Sequence, residues 1–267
     1  MNLKDIALRL RKRIIETSSK SKIPHLGSCL SCIDLLVYLY WIELNIDPVK
    51  PNKSNRDRFI LSKGHGAPAL FQVFAEKEFF PIEKLDDFVK SGSIFHEHPP
   101  KPGYIPGIEA ATGSLGHGLS MGLGMAVASS IQEKAFRTYV LISDGECNEG
   151  TIWEAALMAA TLRLSKLTVI VDFNKWQATG RSEEIMKLQP FAEKWLSFGW
   201  NVFEIDGHNF KEIELALKKS KESKDKPNLI IANTIKGKGV SFMEDNNNWH
   251  YRTPNKEELK LALSELN

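Results

Sequence analysis

Four continuous apolar runs mark the second half of the chain: TYVLIS (138–143), LTVIVDF (167–173), NVFEIDG (201–207) and NLIIANT (228–234). None shows the alternation of a sheet with one wet face. They read as strands buried on both sides, the habit of parallel sheets. Helix-period segments lie between them. Thr151-Ile152-Trp153-Glu154 fits a capping box that opens a helix running to about Leu164. EEIMKLQPFAEKWLSFG (183–199) predicts a second helix, stopped by Gly199. FKEIELALKKSKESKDKP (210–227) predicts a third, its charge run a solvated face and helix end. Strand and helix in alternation predict an α/β fold, with a central, mostly parallel sheet flanked by helices.

The first half reads differently. Residues 1–20, 30–45 and 118–135 have helical patterns, and no internal repeat is visible. Residues 91–117 form a long stretch rich in Gly, Pro and His, too specific in its polar residues for low complexity, which points to a functional loop. The tail DNNNWHYRTPNKEELKLALSELN is a second irregular stretch followed by a short helix. The expectation is one domain over 1–267, helical over residues 1–135 and α/β over residues 136–267. Trp153, Met158 and Leu162 read most simply as core.

Composition narrows the class. The chain has 267 residues, 42% hydrophobic and 25% charged, enough to bury a core without disulfide or metal staples. A net charge of +2 with scattered basic residues does not point to nucleic acid. No apolar run reaches the ~18 residues of a membrane span. The first twenty residues form a basic amphipathic pattern, read as a surface helix of the fold in preference to a membrane-lying one. They lack the apolar core and cleavage site of a signal peptide, so a cytoplasmic protein is expected. Three cysteines argue against a secreted disulfide framework. Cys29 and Cys32 match C-x-x-C, but no thioredoxin-like strand precedes them, and two small half-buried residues are the plainer reading.

The chemistry starts at two strand ends. Ligands of open parallel sheets bind beyond the carboxyl ends of the strands. Asp144 and Asn174 each sit at such an end, one strand–helix–strand unit apart. If the strands are neighbours, both side chains enter one crevice. An acid and an amide suit a hard cation such as Mg²⁺, which takes one or two protein carboxylates and completes its octahedron with phosphate and water. Glycine beside the acid lets a diphosphate approach the backbone. The residues therefore suggest a Mg²⁺–diphosphate site.

Four blocks then follow in order: LSKGHGAPALF, ATGSLGHGLSMGLGMA, SDGECNEGTIWEAA and TIKGKGVSFME…WH. Together with Ser143-Asp144-Gly145 and Asn174 they resemble the diphosphate-binding half of transketolases, over nearly the whole chain. The resemblance implies the thiamine diphosphate-binding fold, with thiamine diphosphate and Mg²⁺ as cofactors. Asp144 and Asn174 would be metal ligands, with the Trp176 carbonyl as a third. Gly145, His65 and His250 match diphosphate contacts, and Glu146 falls in the same cofactor-binding block. His25, His65 and His98 match histidines that line the substrate channel. Gly113, Ser114, Leu115 and Gly116 match the loop near the aminopyrimidine. Glu149 matches a carboxylate that reaches across the subunit interface. Transketolases continue into a pyrimidine-binding domain that is not found here, so the resemblance implies the N-terminal subunit of a split enzyme. A C-terminal partner subunit would complete a heterotetramer with two copies of each chain; a truncated fragment is the alternative. This sequence departs from the pattern at IPHLGS around His25, at His117 and at Tyr251, all on the substrate side.

Other features weigh less. His96 and His98 form H-x-H, but no later acidic or histidine block completes a zinc site. His117 reads equally as a cofactor contact or a helix cap, His208 as structural, and Glu154 as a cap that also joins interface hydrogen bonds. KGKG (236–239) lacks P-loop spacing and GLGMA follows no strand. Two other functions stand beside ketol transfer: 2-oxo acid decarboxylation with carboligation, and a non-catalytic scaffold. The set of histidines favours polyhydroxylated substrates.

Overall fold

The computed structural model describes residues 2–266. Met1 and Asn267, the outer ends of the predicted first helix and tail, lie outside them. Five strands form one sheet: β1 (Arg58–Leu61), β2 (Thr138–Ser143), β3 (Leu167–Phe173), β4 (Asn201–Asp206) and β5 (Asn228–Asn233). Their order is β1-β2-β3-β5-β4 and every pairing is parallel. The described helices are α1 (Leu3–Ser21), α2 (Leu26–Ser31), α3 (Ile33–Tyr38), α4 (Ala67–Glu76), α5 (His117–Ile131), α6 (Gly150–Thr161), α7 (Ser182–Ile185), α8 (Phe191–Ser197), α9 (Phe210–Glu222) and α10 (Lys256–Glu265).

The continuous apolar runs now have a physical cause. Successive strand side chains point to opposite faces. Tyr139, Leu141, Ile170 and Ile230 pack into one core cluster with α1, α3 and α4. Val140, Ile142, Val171 and Ile231 pack into a second with α6 and α8. Both faces are covered, so both parities are apolar. Edge strand β4 is only partly buried, which accounts for its Glu204 and Asp206.

Several expectations are corrected. β1 and α4 were not anticipated. RFIL is too short to show a period, and APALFQVFAE is apolar all round because α4 is almost wholly buried. The predicted 30–45 helix is broken into α2, α3 and a π turn at Leu39–Glu43. The predicted 183–199 helix is two short pieces, since Pro190 has no N–H to donate and disfavours helix at Gln189. The capping box at Thr151 does not form: α6 starts at Gly150, and the Thr151 hydroxyl donates to Gly116 O at 3.0 Å. Glu154 is exposed. A complete capping box instead opens α10, from Asn255 and Glu258. Met158 (50% exposed) and Leu162 (43%) lie on the surface, while Trp153 is half-buried against Trp195.

Candidate active site

β2 and β3 are neighbours, with Ser143 in register with Asp172. This places Asp144 and Asn174 just past adjacent carboxyl ends, as expected. Asp144 is fully buried. Its Oδ2 accepts from Ser182 Oγ at 2.6 Å, and its Oδ1 is buried without a partner. Burial pushes its carboxyl up to about 6, against the lowering effect of the Ser182 hydrogen bond. Asn174 Oδ1 accepts from Trp176 N at 3.1 Å, and its Nδ2 faces Ser31 Oγ and Asp172 Oδ2.

The chain after Asn174 folds into a tight hairpin. Trp176 bridges to Arg181, Gln177 N donates to Gly180 O at 2.8 Å, and Ser182 N donates to Lys175 O at 3.1 Å. Asp245 clamps the hairpin from outside. It accepts two bonds from Arg181, at 2.7 and 2.6 Å, and one from Trp176 Nε1 at 2.8 Å. Gly145 packs on Gln177 so closely that a Cβ would come within 2.8 Å of Gln177 Cγ.

A cleft of about 290 Å³ opens beside the hairpin, lined by His65, Leu115, Gly145, Asn174, Trp176 and His250 among others. The histidines expected at the site converge. Ring centroids of His25 lie 4.8 Å from His250, 5.4 Å from His65 and 6.3 Å from His98. His25 N donates to His250 O at 2.6 Å, which joins the chain after Pro24 to the tail. Burial, then neighbouring positive groups, lowers His25 to about 4 and His250 to about 3. The same causes hold His65 well below its ordinary value. These three rings are neutral near pH 7 and offer neutral donors and acceptors. His25 Nδ1 is buried without a partner.

Two lysines support this cluster, and neither was picked out in the sequence. Lys236 Nζ lies 2.9 Å from His250 Nδ1 and donates to Asn247 Oδ1 at 2.7 Å. Burial, then Lys63, pulls its ammonium down to about 7. Lys63 is fully buried and pairs with Asp172; it also donates to Ser28 O at 2.9 Å. Burial works to raise Asp172, but the Lys63 ammonium overrides it and holds the carboxyl below its usual range. Asp172 also accepts from Ser31 Oγ at 2.6 Å and from Thr234. The pair ties β3, α2 and the segment leading to His65 into one unit under the cleft. Buried charges resemble surface charges in a sequence, so only the topology reveals them.

The loop before α5 is shaped by its glycines. Gly113 has φ 148°, and a Cβ there would lie 2.7 Å from His98 Cδ2. Gly116 has φ 86°, and a Cβ there would meet Thr151 and Glu149. Leu115 lines the cleft and Ser114 is exposed. The Glu146 side chain does not line the cleft. It is buried, accepting from Ser62 and from Gly116 N at 2.8 Å, and it anchors this loop. Glu149 is exposed at the N-terminus of α6. His117 is exposed as the first residue of α5, with Nδ1 3.2 Å from Leu115 O. His208 is structural: Nδ1 is 2.7 Å from Asp34 Oδ2, and Nε2 accepts from Ile235 N. His96 is exposed, and among the described residues no group of three or more His, Cys, Asp or Glu can hold a metal. Cys29 and Cys32 are buried and unpaired, and burial raises their thiols to about 12 and about 11, so neither is a reactive thiolate.

The donor set fits a hard divalent cation with a diphosphate. One buried carboxylate oxygen lacks a partner, an amide oxygen stands at the neighbouring strand end, and neutral histidines and a lysine lie alongside. A lone buried carboxylate oxygen costs about 1–3 kcal/mol unless something satisfies it. A cation at Asp144 and Asn174 would do so.

A family profile, "Transketolase, thiamine diphosphate binding domain", matches residues 4–266. The chain is 41% identical over 256 residues to one subunit of the apulose-4-phosphate transketolase of Phocaeicola vulgatus, covering 96% of this chain and 90% of that protein. It is 42% identical over 257 residues to the 6-deoxy-6-sulfo-D-fructose transketolase subunit SqwG of a Clostridium species, covering 96% and 93%. Human transketolase is 34% identical over 266 residues, which span 99% of this chain and 42% of the human protein. The solved transketolase of Campylobacter jejuni superposes with a TM-score of 0.93 at 28% identity, over all of this chain and 43% of that one. The chain therefore spans less than half of these single-chain transketolases. With its parallel sheet, its Asp144 and Asn174 at adjacent strand ends and its histidine cluster, it belongs to the transketolase family, as a thiamine diphosphate-binding domain.

Proposed function

We propose that the chain, as one domain, is the diphosphate-binding subunit of a two-chain transketolase that moves a two-carbon ketol unit from a ketose to an aldose. The observation that carries this is that Asp144 and Asn174 stand past adjacent strand ends, that Asn174, His65 and His250 line one cleft, and that His25 packs among His65, His98 and His250. Asp144 Oδ1, Asn174 Oδ1 and the Trp176 carbonyl would hold Mg²⁺, and His65, Gly145 and His250 the diphosphate. Bound thiamine diphosphate supplies the carbanion chemistry that cleaves and forms the carbon–carbon bond. The chain's own work is positioning. His25, His65 and His98 hold substrate hydroxyls and pass protons to and from them. Lys236 fixes the tautomer of His250: with Nδ1 accepting from the lysine, Nε2 carries the proton and donates.

The partner would be a C-terminal subunit carrying the pyrimidine-binding domain. Met121 on α5, Leu157 and Met158 on α6 and Leu162 just after it are exposed apolar side chains, and Glu149 stands at the N-terminus of α6. We place the partner there, in a heterotetramer with two copies of each chain. The relatives' names concern a phosphorylated and a sulfonated ketose, and an anionic ketose is the substrate class we propose. Three buried, unpaired cysteines fit a reducing cytoplasm. No described helix is long and apolar enough to cross a membrane.

Calorimetric titration of thiamine diphosphate with Mg²⁺ into the chain and its co-purified partner tests this reading. Saturable binding that disappears in Asp144→Ala is expected. Binding that survives the substitution would overturn the site.

A further inference from the structure

The turn after His250 sends two neighbouring side chains apart. Arg252 lies over the Trp249 ring, 4.8 Å from its centroid, and pairs with Glu258. Tyr251 packs on the histidines instead, its ring centroid 4.7 Å from that of His250 and 5.8 Å from that of His25. The backbone here is held: Tyr251 N donates to Asn248 O, and His250 O accepts from His25 N at 2.6 Å. Exposure rises along this run of rings. His250 is 8% exposed and lines the cleft, His25 is half-buried, and Tyr251 is 66% exposed. Tyr251 thus stands at the outer end of a run that starts in the cleft. Among the described residues, no protein group holds its hydroxyl. It is also a position where the chain departs from the transketolase pattern.

We propose that Tyr251 is a specificity-determining residue at the mouth of the substrate channel: its phenol hydroxyl hydrogen-bonds an acceptor at the substrate's far end, beyond the carbons that react. The proposal rests on the ketol-transfer reading above, in which the histidines hold the hydroxyls nearer the reacting carbonyl. A phenol donates to an anion, and it both donates to and accepts from a sugar hydroxyl. A tyrosine has only two side-chain torsions, and the histidines brace this ring, so the hydroxyl meets a ligand at little cost in conformational entropy. Selection then works by length. A substrate long enough to reach the hydroxyl gains a hydrogen bond that a two-carbon substrate cannot make.

The test uses the full chain with its partner, thiamine diphosphate and Mg²⁺, with D-xylulose 5-phosphate as donor. Initial rates are measured with three acceptors: glycolaldehyde, D-glyceraldehyde 3-phosphate and D-ribose 5-phosphate. Tyr251→Phe keeps the ring and its contacts with the histidines and removes only the hydroxyl. The kcat/KM preference for the better phosphorylated acceptor over glycolaldehyde is expected to fall by about tenfold, the effect of one lost hydrogen bond to a charged group. The fall is expected in KM, as for a contact made equally in the ground state and the transition state. An unchanged preference would overturn the proposal, whether the rates stay intact or fall alike for all acceptors, as they would if Tyr251 only supported the histidines. A wild type that lengthens glycolaldehyde alone would overturn it too. If the wild type lengthens none of the three, the ketol-transfer reading itself is wrong and the proposal falls with it. If the wild type uses a phosphorylated acceptor and Tyr251→Phe keeps the preference, only the role of Tyr251 is lost.

Discussion

Lys236 Nζ stands 2.9 Å from His250 Nδ1, in a chain where both groups are buried. With the protonated lysine donating to Nδ1, the other ring nitrogen of His250 would be left to donate. Lys236→Met keeps the bulk and removes the bond. At about pH 6, where the lysine is protonated, thiamine diphosphate affinity is expected to fall by about tenfold, since a hydrogen bond involving a charged group contributes roughly 1.5–3 kcal/mol. Titration calorimetry reads this directly, and unchanged affinity would contradict the assigned role.

The same lysine makes stability depend on pH. Its ammonium is pulled down to about 7 in the fold by burial, whereas an unfolded lysine titrates near about 10.4. Between these values the unfolded chain holds a proton that the folded chain has released, so this group adds stability as pH rises. The contribution is lost progressively as pH falls from about 10.4 to about 7. Lys236→Met cannot titrate. The stability of the wild type relative to the variant should therefore climb between about pH 6 and about pH 9 in urea unfolding, and a flat difference would refute the assignment.

Lys63 and Asp172 form a fully buried pair beneath the site. Removing one partner strands the other charge, at a cost of about 3–5 kcal/mol. Lys63→Met should lower the urea midpoint strongly. The double variant Lys63→Met with Asp172→Leu should recover some of the loss. If the single variant were as stable as the wild type, the pair would not be holding β3 to α2.

Gly113 lets His98 approach the loop, because a Cβ there would lie 2.7 Å from the ring. Gly113→Ala is expected to cut turnover by at least about tenfold through the displaced histidine, a misplacement effect of the kind that costs up to about 10²-fold. Thermal unfolding of the variant should show a folded protein. Full activity in Gly113→Ala would remove His98 from the proposed substrate channel.

The exposed apolar side chains of α5 and α6 are expected to bury against the partner. Leu157→Arg, at a side chain 51% exposed, should leave the isolated chain folded and abolish co-purification of the second chain. Retained assembly would move the interface elsewhere.

Much of this site is readable without coordinates, for physical reasons. Asp144 and Asn174 stand out because continuous apolar runs mark parallel strands and ligands gather at their carboxyl ends. The histidines stand out through glycine-rich blocks that resemble a known family. Lys63, Asp172, Lys236 and Ser182 do not stand out, since a buried charge or hydroxyl carries no local mark; its partner lies far along the chain, 109 residues away for Lys63 and Asp172. β1 hides because four residues cannot display a period, and α4 because near-complete burial leaves it few polar residues to mark a wet face. Glu146 carries the opposite lesson. Its place beside Asp144 suggests a cofactor contact, yet its side chain is spent on Ser62 and Gly116 N.

Ketol transfer at a site built on Asp144 and Asn174 is open to direct measurement. The co-purified two-chain complex is incubated with a ketose phosphate donor, an aldose acceptor, thiamine diphosphate and Mg²⁺, and the acceptor is followed by mass spectrometry. The expected result is an acceptor lengthened by two carbons, dependent on both cofactors and lost in Asn174→Ala. Carbon dioxide released from a 2-oxo acid, with no sugar lengthened, would contradict it.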